Sequence, residues 1–309
     1  MIPTYDCAGF LEQALTSVLA QDLGSAVMQI EVVDDASRDD PQAIVARVGG
    51  ERVGFFRQPR NLGVSRNLTD CIRRARGEIV HILHGDDAVL PGFYLAMDRA
   101  FAARPDLGAA FCRQIFVDSQ GRLQGISPLE LEPSGVLPDA AAHLAAEQRI
   151  MTPSICVRRE AYERLGGFLE SLVCAEDWEM WVRIAASYSI WYESEPLAQY
   201  RMHDDSNTGR HVRTGEDIVY TAQAIDLIAR HLPNDRAGAV AARARCTYAR
   251  SALTIAERAF VRGDTVTARA QLRGALWLSR SPRVLLDAGA SNARALLGRT
   301  IGRGRRSTA

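Results

Sequence analysis

The sequence predicts an α/β fold, a mostly parallel sheet flanked by helices, followed by an all-helical C-terminal region. Over residues 1–213, short apolar runs of strand length alternate with helical segments, which is typical of a parallel sheet. From residue 214 to 309 the chain is rich in Ala and Arg, has helical periodicity and lacks strand signals. The total of 309 residues suits one α/β domain of about 200 residues with a helical appendage. We therefore predict two domains, 1–213 and 214–309.

Composition favours some classes of protein over others. The formal net charge is zero, so charge gives no case for a nucleic-acid partner. The six cysteines are scattered without a C-x-x-C pair, which disfavours structural zinc or a disulfide scaffold and favours a reducing compartment. No apolar run reaches the roughly 18 residues that span a bilayer, and a signal peptide is not recognisable. We expect a soluble cytoplasmic protein, peripheral to the inner face of the membrane at most.

The first elements follow from apolar spacing. Met1–Asp6 is typical of a strand end that runs into a turn, and Phe10–Gln21 has an apolar face at helical spacing. Further strands are predicted at Gln29–Val33, Val53–Arg57 and Ile79–Leu83, with helices over Pro41–Val48 and from the loop at Asn61 through Ala75. Together they predict successive strand–helix units on one sheet.

The later elements are predicted in the same way. We expect strands at Leu107–Val117, Ser154–Val157, Ile190–Tyr192 and Leu197–Arg201, and helices at Leu95–Ala103, 139–149, Arg159–Phe168 and Glu176–Ala186. Residues 125–138 hold five Pro or Gly residues, which are turn signals, and are predicted to be a loop over the site. The C-terminal region is predicted to form helices over 216–231, 237–261, 264–279 and 282–298.

The stretch Gly77–Asp87 places two adjacent carboxylates, Asp86 and Asp87, just after a buried strand. In open α/β sheets ligands bind beyond the carboxyl ends of strands, so this position suits a cation. Asp also favours turns, and both residues could simply cap the turn before Pro91. The stretch alone leaves the two interpretations even.

Other polar residues follow predicted strands or open helices. Asp34 and Asp35 end a strand, His203 follows the last one, and Glu176-Asp177 opens a helix. Singly, each has a local explanation, such as a helix cap or a favourable helix dipole. Together, acids at one sheet edge would repel unless a cation or a donor-rich ligand lies among them, and a metal–diphosphate fits such a site.

Six motifs then occur in a recognisable order. They are Ile2-Pro3-Thr4-Tyr5-Asp6, Val32-Val33-Asp34-Asp35-Ala36-Ser37, Asn61-Leu62-Gly63 with Arg66-Asn67, Leu83-His84-Gly85-Asp86-Asp87, Ala175-Glu176-Asp177-Trp178, and Tyr200-Arg201-Met202-His203. Over about residues 1–210 the sequence resembles the family 2 glycosyltransferases, which have the GT-A nucleotide-diphospho-sugar transferase fold. The fourth motif is similar to the family's L-D-x-D-D segment, which contains its D-x-D metal motif.

The resemblance implies roles for these residues. It implies nucleotide contacts for Pro3, Thr4, Asp6, Asp35, Arg66 and Asp86. It also implies that Asp86 and His203 bind a divalent cation, Mn²⁺ or Mg²⁺, and that Asp87 lies near the donor sugar. Asp177, beside Glu176, would be the general base that deprotonates an acceptor hydroxyl. The hydroxyl then attacks the anomeric carbon in line, which inverts it.

The sequence departs from the family pattern at two points. His84 stands where the D-x-D motif begins, so its metal-binding role is open, because an imidazole brings no negative charge. The family's first strand has about five apolar residues before the I-P-T-Y motif, whereas here Met1 adjoins that motif. We expect that Met1 is internal to a longer gene product, and N-terminal sequencing of the native protein tests this.

The resemblance implies a metal-dependent glycosyltransferase that acts on a glycan or lipid-linked acceptor in bacterial surface polysaccharide biosynthesis. Asp35 suits a pyrimidine, so a UDP or dTDP donor is preferred. A non-catalytic nucleotide-sugar-binding or scaffold protein of the same fold is the alternative. A nucleotidyltransferase is disfavoured because Asp6–Gly9 lacks that class's basic Gly-rich loop. Residues 120–150, with Trp178 and Trp181, are expected to select the acceptor.

The C-terminal tail is basic. Beyond Asp287 there are no acids, while arginines accumulate at Arg294, Arg299, Arg303, Arg305 and Arg306. A solvated tail and contact with an anionic membrane surface both fit this pattern. The helical region could also mediate homo-oligomer formation, which composition leaves open.

Overall fold

A computed structural model describes residues 1–203 and 207–289. These residues form two compact units. The first holds Met1–Leu144 and Gln148–His203, and the second holds Ala145–Glu147 with the described residues from 207 onward. The boundary predicted between residues 213 and 214 stays a prediction.

The structure contains ten labelled strands and eleven labelled helices in the described residues. The strands are β1 (Ile2–Thr4), β2 (Glu31–Asp34), β3 (Gly54–Arg57), β4 (Ile79–His81), β5 (Ala88–Val89), β6 (Leu107–Val117), β7 (Leu123–Ile126), β8 (Gly135–Val136), β9 (Ile155–Arg158) and β10 (Ser189–Arg201). The helices are α1 (Ala8–Leu19), α2 (Pro41–Val48), α3 (Val64–Arg74), α4 (Phe93–Ala103), α5 (Ala140–Ala145), α6 (Arg159–Leu165), α7 (Glu176–Ala185), α8 (Asn207–Thr214), α9 (Glu216–Ala229), α10 (Asn234–Val261) and α11 (Thr265–Leu278).

The N-terminal part forms a three-stranded parallel sheet in the order β1–β2–β3. Ile2 pairs with Val32, and both side chains are buried in the main hydrophobic cluster. On its other side, β1 bonds to the chain that follows β4, because the backbone N–H groups of Leu83 and Gly85 donate to the carbonyls of Met1 and Pro3, each at 3.0 Å. The polar segment after β4 is therefore held against the end of β1.

A cavity of about 400 Å³ lies at the N-terminal end of β1. Its lining includes Met1, Ile30, Ile79 and Met97, together with the half-buried His81. The natural start of the chain stays a prediction.

The second sheet has seven strands in the path β4–β9–β6–β10–β5, with β7 beside β6 and β8 beside β10. The long strands β6 and β10 run parallel, and their pairing extends from Leu107 and Ser189 to Val117 and Arg201. The shorter strands pair antiparallel. The parallel pairings hold most of the paired residues, which confirms the predicted fold class of mostly parallel sheets flanked by helices.

Three details of the sequence prediction are wrong. The two short strands predicted at Ile190–Tyr192 and Leu197–Arg201 form one strand, β10, with register shifts on both sides of Pro196. Pro lacks a backbone N–H, so the ladder is interrupted there without the strand ending. The loop predicted at 125–138 contains β8 and part of β7, whose partners are the distant strands β10 and β6. The predicted strand Ile79–Leu83 ends at His81.

The second unit is helical, as predicted for residues 216–231, 237–261 and 264–279. Its core includes Ile218, Leu253, Leu278 and several alanines, so the helices approach closely. Helix α8 was not predicted. Residues 282–289 are helical, whereas the rest of the helix predicted to residue 298 and the Arg-rich tail lie outside the described residues. Among the described residues, none of the helices is both long and apolar enough to cross a membrane.

Candidate active site

Gly85 brings the two carboxylates of the Asp86-Asp87 pair close to the first strand. A Cβ atom at Gly85 would lie 2.9 Å from both the Thr4 hydroxyl oxygen and the Cys7 sulfur. Any larger residue at this position would push the segment away from β1. The absence of a side chain therefore allows Asp86 and Asp87 to follow directly after a segment bonded to Pro3.

His84, Asp86 and Asp87 form a cluster that could hold a metal ion. One potential ligand atom from each residue lies within 4.8 Å of the other two. Asp87 is only 2% exposed, and its Oδ1 accepts a hydrogen bond from the backbone N–H of Arg201 at 2.8 Å. Asp87 Oδ2 and His84 Nε2 are buried and have no hydrogen-bond partner among the described residues. Asp87 Oδ2 lies 3.7 Å from His84 Nδ1, so the histidine compensates its charge at an ion-pair distance that is too long for a hydrogen bond.

His203 lies beside this cluster. Its Nε2 is 3.0 Å from Asp86 Oδ2, and its ring centroid is 5.2 Å from that of Phe10. Burial raises the pKa of Asp86, but the hydrogen bond from His203 and the charge of His84 outweigh it, so the pKa lies below its ordinary value. Asp86 is consequently held as a carboxylate, the form that binds a cation.

The other charges of the cluster are perturbed by burial. Burial raises the pKa of Asp87 to about 6. Burial also raises the pKa of Glu176 to about 8, with a further contribution from the neighbouring charge of Asp177. For His84, burial lowers the pKa, but the carboxylate of Asp87, whose Oδ2 lies 3.7 Å from His84 Nδ1, outweighs burial and brings the pKa to about 9. The site therefore concentrates negative charge that the protein compensates with histidines.

Asp177 lies in the first turn of α7 and is oriented by two side chains. Its Oδ2 accepts hydrogen bonds from Gln148 Nε2 at 2.8 Å and from the Thr152 hydroxyl at 3.3 Å. Its Oδ1 accepts from the backbone N–H of Trp178 at 2.8 Å. Asp177 is half-buried, and burial raises its pKa. Sequence reasoning missed Gln148 and Thr152, because hydrogen-bonding residues without a motif give no signal in a single sequence.

Arg201 fixes the backbone that carries the Asp86-Asp87 pair. Its side chain is 4% exposed, Nε donates to the Asp86 carbonyl at 2.9 Å, and a terminal nitrogen donates to Gln13 Oε1 at 2.5 Å. Its guanidinium lies over the Phe10 ring, 4.7 Å from the centroid. The sequence analysis gave Arg201 no role, although it lies inside the Tyr200–His203 motif.

The predicted nucleotide-side residues have different surroundings. Both oxygens of Asp35 accept backbone N–H groups, from Leu62 at 2.7 Å and from Gly63 at 3.0 Å. Asp6 accepts from the backbone N–H and the Nε of Arg38, both at 2.8 Å. Asp35 therefore holds the loop before α3, and Asp6 forms an ion pair with the exposed Arg38.

Among the predicted nucleotide-binding residues, Thr4 and Asp35 are joined by a hydrogen bond, whereas Arg66 forms its ion pair elsewhere. Thr4 Oγ1 lies 2.9 Å from Cys7 Sγ, and the Thr4 carbonyl accepts the N–H of Asp35 at 2.9 Å. Arg66 forms its ion pair with Glu170 at 2.7 Å on the exposed surface. The roles predicted for Pro3, Thr4, Asp6, Asp35 and Arg66 in nucleotide binding stay predictions, as do the donor-sugar role of Asp87 and the roles of Asp86, His203, Asp177 and Glu176.

The residues present fit a divalent cation. The cluster offers two carboxylates, and hard cations such as Mg²⁺ and Mn²⁺ prefer oxygen ligands, with diphosphate oxygens able to complete the coordination. If a cation displaced the His84 proton, Nε2 of the neutral imidazole would be a ligand of the kind that borderline metals accept. The unpartnered Asp87 Oδ2 and His84 Nε2 support this fit, since buried polar atoms are normally satisfied.

Comparison with known proteins identifies the class. The profile described as "Glycosyl transferase family 2" matches residues 1–166, so the chain belongs to glycosyltransferase family 2.

Among relatives, an uncharacterized protein of Mycobacterium tuberculosis is 29% identical over 230 residues, which is 71% of each chain. An uncharacterized glycosyltransferase of Rickettsia typhi is 23% identical, and the match covers 67% of this chain and 64% of that protein. The O-antigen biosynthesis protein RfbC of Myxococcus xanthus is 26% identical over 67% of this chain, but the match spans only 16% of RfbC.

Solved structures share the fold. The S. aureus TarS fragment 1-349 in complex with UDP-GlcNAc superposes with a TM-score of 0.67 at 16% identity, covering 99% of this chain and 90% of that one. The mannosyltransferase PcManGT from Pyrobaculum calidifontis, in complex with GDP-Man and Mn²⁺, gives a TM-score of 0.57 at 21% identity, covering 89% and 84%. The fold is thus that of GT-A glycosyltransferases.

Proposed function

We propose that this protein is a metal-dependent, inverting glycosyltransferase that moves a sugar from a nucleotide diphosphate to an acceptor hydroxyl. The observation that carries the proposal is the pairing of two features in the first unit. One is the cluster of His84, Asp86 and Asp87, with its unpartnered buried atoms. The other is Asp177, a half-buried carboxylate of raised pKa held by two neutral donors.

Asp86, Asp87 and His84 would hold the divalent cation, with His203 keeping Asp86 ionised. A bound cation supplies Lewis-acid stabilisation of the departing diphosphate, worth several kcal/mol. Arg201 keeps this ligand set in place, because it bonds to the Asp86 carbonyl and its own N–H bonds to the Asp87 carboxylate. The protein thus contributes ligand side chains that are already in position and partly shielded from water.

Asp177 would take the proton of the acceptor hydroxyl. Gln148 and Thr152 hold Oδ2, so the carboxylate cannot rotate freely and stays aimed in one direction. Its raised pKa makes it a better base than an exposed Asp, and a positioned base typically contributes about 10²–10⁴-fold. Direct attack by the acceptor in one displacement inverts the anomeric carbon.

The donor and acceptor follow from residue chemistry and from relatives. A pyrimidine donor, UDP or dTDP, is preferred on the basis of Asp35. One fold neighbour, TarS, is in complex with UDP-GlcNAc, which agrees with this preference. Another, PcManGT, is in complex with GDP-Man, so GDP is the nucleotide to compare in the binding test. A glycan or lipid-linked acceptor in bacterial surface polysaccharide assembly is supported by the resemblance to RfbC. Cytoplasmic location, membrane contact by the Arg-rich tail and homo-oligomer formation are further parts of this proposal.

The first test is binding. The full chain is screened by thermal shift against UDP, dTDP and GDP, with and without Mn²⁺, since a ligand of the native state raises the midpoint by mass action. We expect a shift from a pyrimidine diphosphate that requires the metal. If none of the nucleotides shifts the midpoint, the proposed function is wrong.

The second test is turnover. Release of the nucleoside diphosphate from UDP-sugars and dTDP-sugars is measured with Mn²⁺ for the wild type and for Asp177→Asn, with the exposed Asp98→Asn as the matched control. Slow donor hydrolysis that Asp177→Asn suppresses supports an enzyme. Binding without hydrolysis or transfer would instead support the non-catalytic nucleotide-sugar-binding alternative.

A further inference from the structure

Helix α11 in the second unit has one buried and one exposed face. The buried side includes Thr267, Ala268, Gln271, Ala275 and Leu278. Val266, Arg269, Arg273 and Trp277 follow one another in steps of three and four residues and are all exposed. They therefore form one stripe along the helix, in which Val266 and Trp277 expose 73% and 62% of their surface.

The helical turns at 282–289 also have buried and exposed apolar residues. Val284 and Ala288 enter the same hydrophobic cluster as Leu278, while Leu285 and Leu286 are 51% and 74% exposed. Arg280 and Arg283 are also exposed. We give the name basic–apolar surface to the exposed arginines and large apolar residues between 265 and 289, which are Val266, Arg269, Arg273, Trp277, Arg280, Arg283, Leu285 and Leu286.

The charge of this surface has one sign. Residues 265–289 contain four arginines and a single acid, Asp287. Asp287 is already paired, because its Oδ2 accepts from Arg250 Nε at 2.6 Å. The arginines therefore present uncompensated positive charge next to exposed Trp and Leu side chains, which is unusual for a surface that faces only water.

We propose that the basic–apolar surface docks on a membrane that contains anionic lipid. Arginines gain free energy from anionic headgroups, Trp favours the membrane interface, and leucines bury their side chains at the acyl boundary. A second copy of this chain is a poorer occupant, since a two-fold contact would bring together two surfaces with the same positive charge. Nucleic acid would use the arginines but would leave the leucines without gain.

The test is vesicle co-sedimentation of the full chain at low salt. Vesicles of pure phosphatidylcholine are compared with vesicles that also contain phosphatidylglycerol. We expect binding to the anionic vesicles that weakens as salt is added, because surface charge is screened. Of the four tryptophans, Trp178 and Trp181 are buried and Trp191 is packed against the core of the first unit. A blue shift of emission on binding should therefore come from the exposed Trp277 and disappear in Trp277→Phe.

Two variants separate the contributions. Trp277→Ser/Leu286→Ser should weaken vesicle binding by at least about tenfold, because the inserted apolar area is lost. Arg273→Gln/Arg280→Gln should weaken it by about 10–30-fold, since each arginine near an anionic surface is worth about 1 kcal/mol. Leu95→Ser/Arg99→Gln on α4, which removes an exposed leucine and an exposed arginine from the first unit, is the matched control and should bind like the wild type.

The proposal fails if the wild type ignores anionic vesicles or binds both compositions equally. It also fails if both α11 variants, folded by circular dichroism, bind like the wild type while replacement of the five tail arginines by Gln abolishes binding. A Trp277 blue shift caused by protein concentration alone would indicate a second copy, and a shift caused only by a duplex oligonucleotide would indicate nucleic acid. None of these readouts depends on transferase activity, so the proposed function is tested separately.

Discussion

Two Asp-Asp pairs lie at strand ends in this chain, and they differ in their surroundings. Asp34 accepts the Ser37 N–H at 3.1 Å, and Asp35 accepts two loop amides. Asp34 and Asp87 each keep one buried Oδ2 without a hydrogen bond in the described chain. That of Asp34 lies 3.2 Å from Arg57 Nε, whereas that of Asp87 lies 3.7 Å from His84 Nδ1.

The difference shows that a position at the end of a strand does not determine whether a carboxylate pair is satisfied by the protein. Both pairs give the same signal in the sequence, and both lie at the carboxyl ends of strands. In the first pair, Asp35 is satisfied by backbone groups of a distant loop and Asp34 lies beside the Arg57 guanidinium, so both help to hold the fold locally. In the second pair, Asp87 Oδ2 has only a histidine beyond hydrogen-bond distance, and a buried polar atom of this kind is typical of a binding site.

The largest effect on activity is expected from a substitution in the Asp86-Asp87 pair. We expect Asp86→Ala to lower transfer by at least about 10³-fold, because it removes a cation ligand worth several kcal/mol. Its folding stability should change little, since the lost hydrogen bond to His203 is offset by the relieved repulsion with Asp87 and by the relieved burial of a charge. Steady-state transfer with Mn²⁺ and urea unfolding measure the two effects.

Asp35→Ala is the matched variant at the other pair. It leaves two loop amides without their acceptor, so we expect a loss of about 1–3 kcal/mol in the free energy of unfolding. If Asp35→Ala kept full stability while Asp86→Ala unfolded the protein, the assignment of the two pairs would be reversed.

The next effect concerns the proposed base. Asp177→Asn should lower kcat by about 10²–10⁴-fold, because the amide cannot take the acceptor proton. Gln148→Leu should lower kcat by about tenfold with little change in KM for the donor, since it only frees the carboxylate to rotate. Full wild-type kcat in Asp177→Asn would contradict the base assignment.

Glu176 gives a pH dependence with a definite sign. Its pKa in the folded state is raised to about 8, so between its ordinary value near 4.5 and pH 8 the folded state binds more protons than the unfolded state. Its contribution to stability is present below about pH 4.5 and is lost as pH rises through about 8. At pH 8.5 we expect the free energy of unfolding of Glu176→Gln, measured with urea, to exceed that of the wild type by at most about 5 kcal/mol. At pH 5 the two proteins should have nearly the same free energy of unfolding. A larger gain at pH 5 would contradict this sign.

The sequence predicts features that depend on neighbouring residues better than features that depend on residues far apart in the chain. The alternation of strands and helices depends on local periodicity, and it correctly predicted Pro41–Val48 and Leu107–Val117 to the residue. The pairing of β7 and β8 with distant strands, the loop amides on Asp35, and the Gln148 bond to Asp177 depend on residues far apart in the chain. Spacing within one sequence carries no information on those contacts, so the same Asp-Asp signal could not be resolved into a structural and a functional pair.

A smaller effect is expected at His84. We predict that His84→Asp keeps activity and tightens Mn²⁺ binding by a few-fold, because it adds a negative oxygen ligand where the family pattern has an acid. Mn²⁺ titration followed by the thermal midpoint measures this. Loss of Mn²⁺ binding in His84→Asp would mean that the cation is held on the other side of Gly85.

The smallest effect is expected on folding stability, from a substitution next to the Asp34-Asp35 pair. Ala36 follows Asp35 with φ of +59°, a left-handed conformation that disfavours a side chain, and the family pattern has Gly there. We expect Ala36→Gly to raise the free energy of unfolding by about 0.5–1 kcal/mol, or about 2 °C in the midpoint, with unchanged kcat. The exposed Ala43 in α2 is the control, since Ala43→Gly loses helix propensity and should destabilise by about the same amount. If Ala36→Gly instead changed kcat without changing stability, the loop after Asp34-Asp35 would belong to the reacting site rather than to the fold.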